Sequence, residues 1–145
     1  MEPQAAYDEL IRHARQQALL ASCAALLSWD EQTYMPPGGA EYRGRQLALL
    51  AGLHHEQATD PRIGALLEAL EGSDLVADPE APEAVNVREL RRTYRRLTLL
   101  PRTLVEELAR VTSLAQQEWV GARRDADFAR LRPHLEVIVE LKRRE

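Results

Sequence analysis

The sequence predicts an all-α fold of about six helices in a bundle-like array, and three observations lead to this prediction. The composition is rich in Ala, Leu, Glu, Arg and Gln, and only 5% of the residues are aromatic, which favours helices over strands. Apolar residues recur at intervals of three and four, the period of one helix face. Prolines and glycines divide the chain into segments of helix length. We predict a single helical unit over residues 1–145.

The strongest break in the sequence separates the first two predicted helices. The first covers residues 7–35, where an apolar stripe includes Leu10, Leu26 and Trp29. It ends at Pro-Pro-Gly-Gly, residues 36–39, because proline lacks an amide donor and glycine raises the entropic cost of order. A second helix is predicted over residues 40–60.

Four further helices follow. Asp60 caps a short helix over residues 61–72, with proline in the first helical position, and a polar loop comes next. The fourth and fifth helices are predicted over residues 82–99 and 101–124, and the fifth has the clearest apolar stripe. The sixth starts near Asp127 and tolerates Pro133 only by starting late or bending there. Because it reaches Glu145 without Gly, Pro or a polar tail, we expect a continuation.

Charge and cysteine content limit the classes of function. Nineteen basic and 23 acidic residues are nearly balanced, with a net charge of −4, so we predict no nucleic-acid partner and no membrane partner. The arginines within residues 88–96 form a local basic face, which we expect Glu83 and Glu89 to pair with. The single Cys23 indicates a reducing compartment, and we expect a cytoplasmic protein with an inert buried thiol there.

The histidines do not follow the spacing of a helical zinc peptidase. That site requires two histidines four residues apart, with glutamate after the first. After His55-Glu56 the position of the second ligand is Thr59, and His54 points about 100° away on a helix. A site assembled from the distant His13 and His134 remains open on spacing alone. We predict no catalytic residue and no metal ligand in this chain.

One segment is more specific than the rest. Residues 28–41 read Ser-Trp-Asp-Glu-Gln-Thr-Tyr-Met-Pro-Pro-Gly-Gly-Ala-Glu, with an arginine soon after. This segment resembles the N-terminal signature of the carboxypeptidase Taq family of metallocarboxypeptidases, and shorter similarities follow in order along the chain. The matching positions, to which we assign a structural role, are Trp29, Asp30, Thr33, Met35, Pro36 and Arg43. We interpret Trp29 as an anchor of the first helix and expect Asp30 to pair with Arg43, or with backbone, across the turn.

The resemblance implies a part of a larger enzyme. Family members are long helical enzymes of the neurolysin type that remove C-terminal residues from peptides. In these enzymes downstream motifs hold a divalent metal, usually zinc, whose bound water attacks the peptide bond. None of those motifs has a counterpart here, so we expect no cofactor and no activity in this chain alone. The resemblance implies instead the N-terminal wall or lid of the cleft, with the catalytic part absent. The expected partner is the remainder of the carboxypeptidase, or a second copy bound through exposed apolar helix faces, and peptide substrate binds in the full-length enzyme.

A second hypothesis belongs to a different class. The chain could be a freestanding helical interaction or regulatory protein derived from the same family. The helix that reaches Glu145 favours the first hypothesis.

Overall fold

A computed structural model describes residues 2–145, and in this part of the chain every regular element is helical. The α-helices are α1 (Pro3–Thr33), α2 (Ala40–Ala58), α3 (Pro61–Leu70), α4 (Pro82–Leu97), α5 (Arg102–Arg124) and α6 (Phe128–Arg143). Two short 3-10 helices, Pro37–Gly39 and Asp74–Val76, lie in stretches that the sequence predicts as a turn and a loop. The all-α prediction of about six helices is confirmed.

Capping residues explain several of the helix ends. The Asp60 side chain accepts a hydrogen bond of 2.8 Å from the amide of Arg62, and Pro61 occupies the first position of α3, both as predicted. Asp127 caps α6 in the same way, through the amide of Ala129 at 3.0 Å. Helix α1 begins at Pro3, earlier than the predicted start at residue 7.

Helix α6 contains Pro133 in its interior. The sequence predicts a late start or a bend there, but the helix already begins at Phe128. Proline lacks the amide hydrogen that would bond to the carbonyl of Ala129, so one hydrogen bond of the helix is lost. The helix nevertheless continues to Arg143.

The chain divides into two compact units, whereas the sequence predicts one. The first unit comprises the chain up to Leu20 together with His54–Leu100, and the second comprises Ala21–Leu53 together with Pro101–Glu145. Helices α1 and α2 each contribute one part to each unit. The apolar side chains accordingly gather in two separate clusters, which composition and periodicity alone do not distinguish.

The core of the first unit is formed by α1, α3 and α4. Its most buried large side chains are Leu10, Leu66 and Leu70. The whole predicted stripe of α3 is buried, since Ile63 and Leu67 are also at most 4% exposed. Helix α3 is thus the central element of this core.

The core of the second unit is formed by α5 and α6. Leu104 and Val111 of α5 and Leu141 of α6 are each at most 5% exposed. The apolar stripe of α5 is covered as far as Ala115, which is 6% exposed. Trp119, the next residue of the stripe, is 41% exposed. The guanidinium of Arg123 lies 5.4 Å from the centre of the Trp119 ring, so this end of the stripe faces outward against a cation.

Gly64 of α3 faces the side chain of Tyr94 on α4. A Cβ atom at this position would lie 2.8 Å from the Tyr94 hydroxyl and 3.2 Å from the ring carbon that carries it. Tyr94 packs against the core and cannot withdraw freely. We expect Gly64→Ala to lower the free energy of unfolding by about 1–2 kcal/mol, through overpacking.

Urea unfolding followed by circular dichroism measures this effect. Gly38→Ala is the matched control, since nothing lies within 4 Å of its Cβ position, and we expect no loss of stability there. In the Tyr94→Phe background the hydroxyl is removed and the cost of Gly64→Ala should shrink. An unchanged cost in that background would rule out the Tyr94 contact as its cause.

Candidate functional site

The signature segment forms the end of α1 and the turn into α2. The Thr33 hydroxyl donates a hydrogen bond of 2.9 Å to the carbonyl of Trp29. The amides of Tyr34 and Met35 both donate to the carbonyl of Asp30, at 3.0 and 2.9 Å. These bonds provide donors for the backbone carbonyls in the last turn of α1, and the helix ends before Pro36.

Met35 and Pro36 shape the tight connection that follows. Pro36 is extended, with φ −65° and ψ 147°, and its carbonyl accepts a hydrogen bond of 2.8 Å from the Gly39 amide. The Met35 side chain lies over Gly39, because a Cβ atom there would be 3.0 Å from the Met35 Cγ. A side chain at position 39 would have to displace Met35, which accounts for the second glycine of the pattern, whereas the Cβ position of Gly38 is open.

Arg43 ties the start of α2 to the end of α1. Its Nη2 donates to the Asp30 carboxylate at 2.6 Å, which confirms the predicted pair. The other two guanidinium nitrogens of Arg43 also donate hydrogen bonds: Nη1 to the carbonyl of Leu27, and Nε to the Gln46 side chain at 3.0 Å. Arg43 is only 9% exposed. A buried guanidinium with three acceptors fixes the angle between the two helices at the turn.

Trp29, interpreted from the sequence as an anchor of the first helix, is largely exposed. It is 55% exposed, and within this chain its ring contacts that of Tyr34, with centroids 5.6 Å apart. Glu31 is only 9% exposed and points inward, and each residue along a helix turns about 100°. Trp29, two residues earlier, therefore lies on the opposite side of α1.

Glu31 and Ser113 are the functional candidates that the sequence analysis missed. The Ser113 hydroxyl donates a short hydrogen bond to the Glu31 carboxylate, and both residues are buried. A signal was present, because Glu31 continues the three- and four-residue spacing of Leu20, Ala24 and Leu27 along one face of α1. A carboxylate on an apolar face is the informative exception.

Cys23 is exposed and unpaired, not buried as the sequence suggests. The same helix period explains the error. Ala24 and Leu27 lie on the partly covered side of α1 within the second unit, while Cys23 and Leu26 share the outer face, where Leu26 is 63% exposed. The Ala/Leu stretch of α1 is apolar on both sides, so its composition could not identify the covered side.

The histidines do not converge on a metal. His55 is 6% exposed, and its Nε2 donates to the carbonyl of Leu97 at 3.1 Å, while His13 lies 4.0 Å from Glu9. Across residues 2–145 no three His, Cys, Asp or Glu side chains gather in a way that could hold a metal ion. The side chains of residues 2–145 therefore do not form a grouping that fits the divalent-metal site of a peptidase.

His54 gives the chain a testable pH dependence. Burial, and secondarily the charge of His55, lower the pKa of His54 below its usual 6.5. The unfolded chain therefore binds this proton at a higher pH than the folded chain, and stability falls as the pH drops through about 6.5. We expect His54→Gln to reduce the loss of stability between pH 7.5 and 5.5, as measured by urea midpoints. A variant with the wild-type pH slope would contradict this assignment.

Three of the five arginines on the basic face of α4, Arg88, Arg91 and Arg92, form ion pairs within their own unit. Arg91 forms an ion pair of 2.7 Å with Glu71, and Glu89 lies 3.9 Å from Arg88 and 3.7 Å from Arg92. The expected pairing with Glu89 is thus present. Glu83 has no ion pair with another described residue, contrary to the sequence-based expectation.

The comparison with known families decides the relationship. Residues 9–145 match the family described as carboxypeptidase Taq (M32) metallopeptidase. This chain belongs to that family. Thermostable carboxypeptidase 1 of Thermus thermophilus is 46% identical over 141 residues, which is 97% of this chain and 28% of that protein.

Solved structures agree with the family assignment. The M32 carboxypeptidase of Deinococcus radiodurans is 37% identical with a TM-score of 0.68, over 94% of this chain and 27% of that one. BsuCP has a TM-score of 0.89 over 97% of this chain and 28% of its own, and at 21% identity it supports the fold alone. This 145-residue chain thus spans about 28% of the length of the relatives that it matches. None of its described helices is long and apolar enough to cross a membrane.

Proposed function

We propose that this chain forms the N-terminal helical region of a zinc-dependent carboxypeptidase, where it contributes one wall or lid of the cleft that receives the carboxyl end of a peptide. The observation that carries the proposal is the match of residues 9–145 to the M32 family. Identity of 46% along 97% of the chain supports it.

In this proposal the divalent metal belongs to the rest of the enzyme. When bound there, the metal supplies a Lewis acid and an activated water for peptide hydrolysis. The sequence contains no His-Glu-x-x-His motif, since Thr59 stands where the second histidine is required. The Nε2 of His55 is already engaged with a backbone carbonyl. The residues of this chain are therefore proposed to position helices and limit access.

Exposed apolar side chains support a large polypeptide partner. On α1, Leu19 and Leu26 are 68% and 63% exposed, and on α2 Tyr42 and Leu49 are 69% and 57% exposed. Single exposed apolar residues are ordinary, but several on two consecutive helices favour an interface. We propose that these faces pack against the remainder of the peptidase. Association with a second copy is the competing use of the same faces.

A chimera tests the proposed function. Residues 9–145 replace the matching segment of the Thermus thermophilus carboxypeptidase, and hydrolysis of a blocked dipeptide is measured with added zinc or cobalt, beside the 145-residue chain alone. We expect activity in the chimera and none in the chain. Activity of the chain alone would overturn the proposal, because a metal site would then exist among its own residues. A folded, inactive chimera would favour the freestanding interaction protein.

Leu26 tests the proposed interface. In the chain alone, Leu26→Asp should change the free energy of unfolding by at most about 0.5 kcal/mol, because the side chain is exposed. In the chimera it should lower the melting temperature by several degrees, because a charge would be buried there. Gln16→Asp, at an exposed polar position of α1, controls for helix propensity. Equal effects of Leu26→Asp in both proteins would remove this face from the interface.

A further inference from the structure

An open pocket lies within the second unit, between α1, α2 and α5. Its volume is about 330 Å³. Small apolar side chains form part of its lining, Ala24 from α1, Ala51 from α2 and Ala109 from α5. The polar lining includes Glu31 and Ser113, with Gln32 and Gln116 contributing side-chain amides. Polar side chains that converge beside small apolar ones in a concavity form a candidate ligand site.

Glu31 is the unusual group in this pocket. Its side chain belongs to a residue that is only 9% exposed, and its hydrogen bond comes from the neutral hydroxyl of Ser113. Among residues 2–145, no Lys, Arg or His nitrogen forms an ion pair with it. Burying a carboxylate without a cation is unfavourable, and one hydroxyl compensates only in part.

The second carboxylate oxygen of Glu31 is not sealed from solvent. No fully buried side-chain oxygen or nitrogen of the described residues lacks a hydrogen-bond partner. The Glu31 oxygen that Ser113 does not reach therefore retains some solvent contact, and Glu31 is one of the residues that line the pocket. The lining thus presents a carboxyl acceptor that forms no ion pair with a basic side chain of residues 2–145.

We propose that this pocket binds the cationic end of a basic side chain, a guanidinium or an ammonium group, presented by another polypeptide segment. The guanidinium or ammonium group would donate to Glu31, its remaining N–H groups would donate to the carbonyl oxygens of Gln32 and Gln116, and its aliphatic stem would lie along the alanines. A divalent metal is a poorer match, since it requires several oxygen ligands and the pocket offers one carboxylate. The proposal goes beyond the proposed carboxypeptidase role and does not depend on it, because the chain's own residues form the pocket.

The test is an NMR titration of the ¹⁵N-labelled 145-residue chain. The probe is N-acetyl-arginine methylamide, and its neutral counterpart is the citrulline derivative of the same length. We expect saturable shifts of the Glu31 and Ser113 amides with the arginine probe, and binding of the citrulline probe at least tenfold weaker. Equal binding of the two probes, or no saturable shift, would overturn the proposal.

Two variants make the test residue-specific. Glu31→Gln keeps the shape and the bond with Ser113 and should lose at least tenfold in affinity for the arginine probe. Glu118→Gln is the matched control, since Glu118 lies on α5 in the same unit and pairs with Arg130, and it should bind as wild type. Full binding by Glu31→Gln would overturn the proposal. Because the citrulline comparison uses the unmodified chain, the test does not depend on the folding of any variant.

The chimera identifies the source of the basic side chain. Retained probe binding there indicates that the pocket stays open to a peptide ligand, whereas loss of binding indicates that the rest of the enzyme covers it; the cation site itself is decided by the titration of the 145-residue chain. An inactive chimera would count against the carboxypeptidase role while leaving the titration of the 145-residue chain unaffected.

Discussion

Replacing Arg43 with methionine is expected to lower the free energy of unfolding by about 2–3 kcal/mol. Methionine keeps much of the side-chain volume but removes every donor to Asp30, Gln46 and the Leu27 carbonyl. The Arg43 side chain is 11% exposed while that of Asp30 is 36% exposed, so solvent screens part of the lost charge interaction and the estimate lies below that for a fully buried pair. Urea unfolding followed by circular dichroism measures the loss.

Arg45→Met is the control for the Arg43 prediction. Arg45 is on the same helix and pairs with Glu41 at 3.3 Å, but its side chain is 71% exposed. Its replacement should cost at most about 0.5 kcal/mol. Arg43→Lys should fall between these values, because an ammonium cannot reproduce the planar fork of a guanidinium. Similar losses of stability for Arg43→Met and Arg45→Met would show that the burial of Arg43 contributes little to the free energy of unfolding.

Replacing Leu66 with alanine is expected to have the largest effect on stability, a loss of about 3–5 kcal/mol. Leu66 is fully buried in α3, between helices that cannot close completely over the space left behind. Leu99→Ala is the matched control, since Leu99 is 81% exposed and should change stability by at most about 0.5 kcal/mol. Calorimetric melting of both variants checks the difference. A small loss at Leu66 would mean that the first unit repacks readily.

Local sequence features were sufficient to predict much of the turn between α1 and α2. Two prolines and two glycines end one helix and begin the next whatever surrounds them, because their effects act on the backbone itself. The Asp30 and Arg43 pair could be anticipated because the short turn brings the end of α1 near the start of α2, where opposite charges attract. Position along the chain thus favoured this contact.

The roles of Trp29 and Glu31 could not be predicted in the same way. A tryptophan is usually buried and a glutamate is usually exposed, yet here Trp29 is 55% exposed and Glu31 only 9%. The reason is the rotation of α1 about its axis, which is set by α2 and α5 packing against it and not by the residues of α1 alone. The same rotation placed Cys23 on the outer face.

By itself the sequence determined the all-helical class, most helix ends and the family, because propensity, capping and motif order are properties of neighbouring residues. The tertiary structure alone decided that the apolar residues form two cores instead of one, which side of α1 is covered, and that Ser113 meets Glu31 from 82 residues away. These features depend on which helix faces come together, and that is decided by the packing free energy of the whole chain, not by any local pattern.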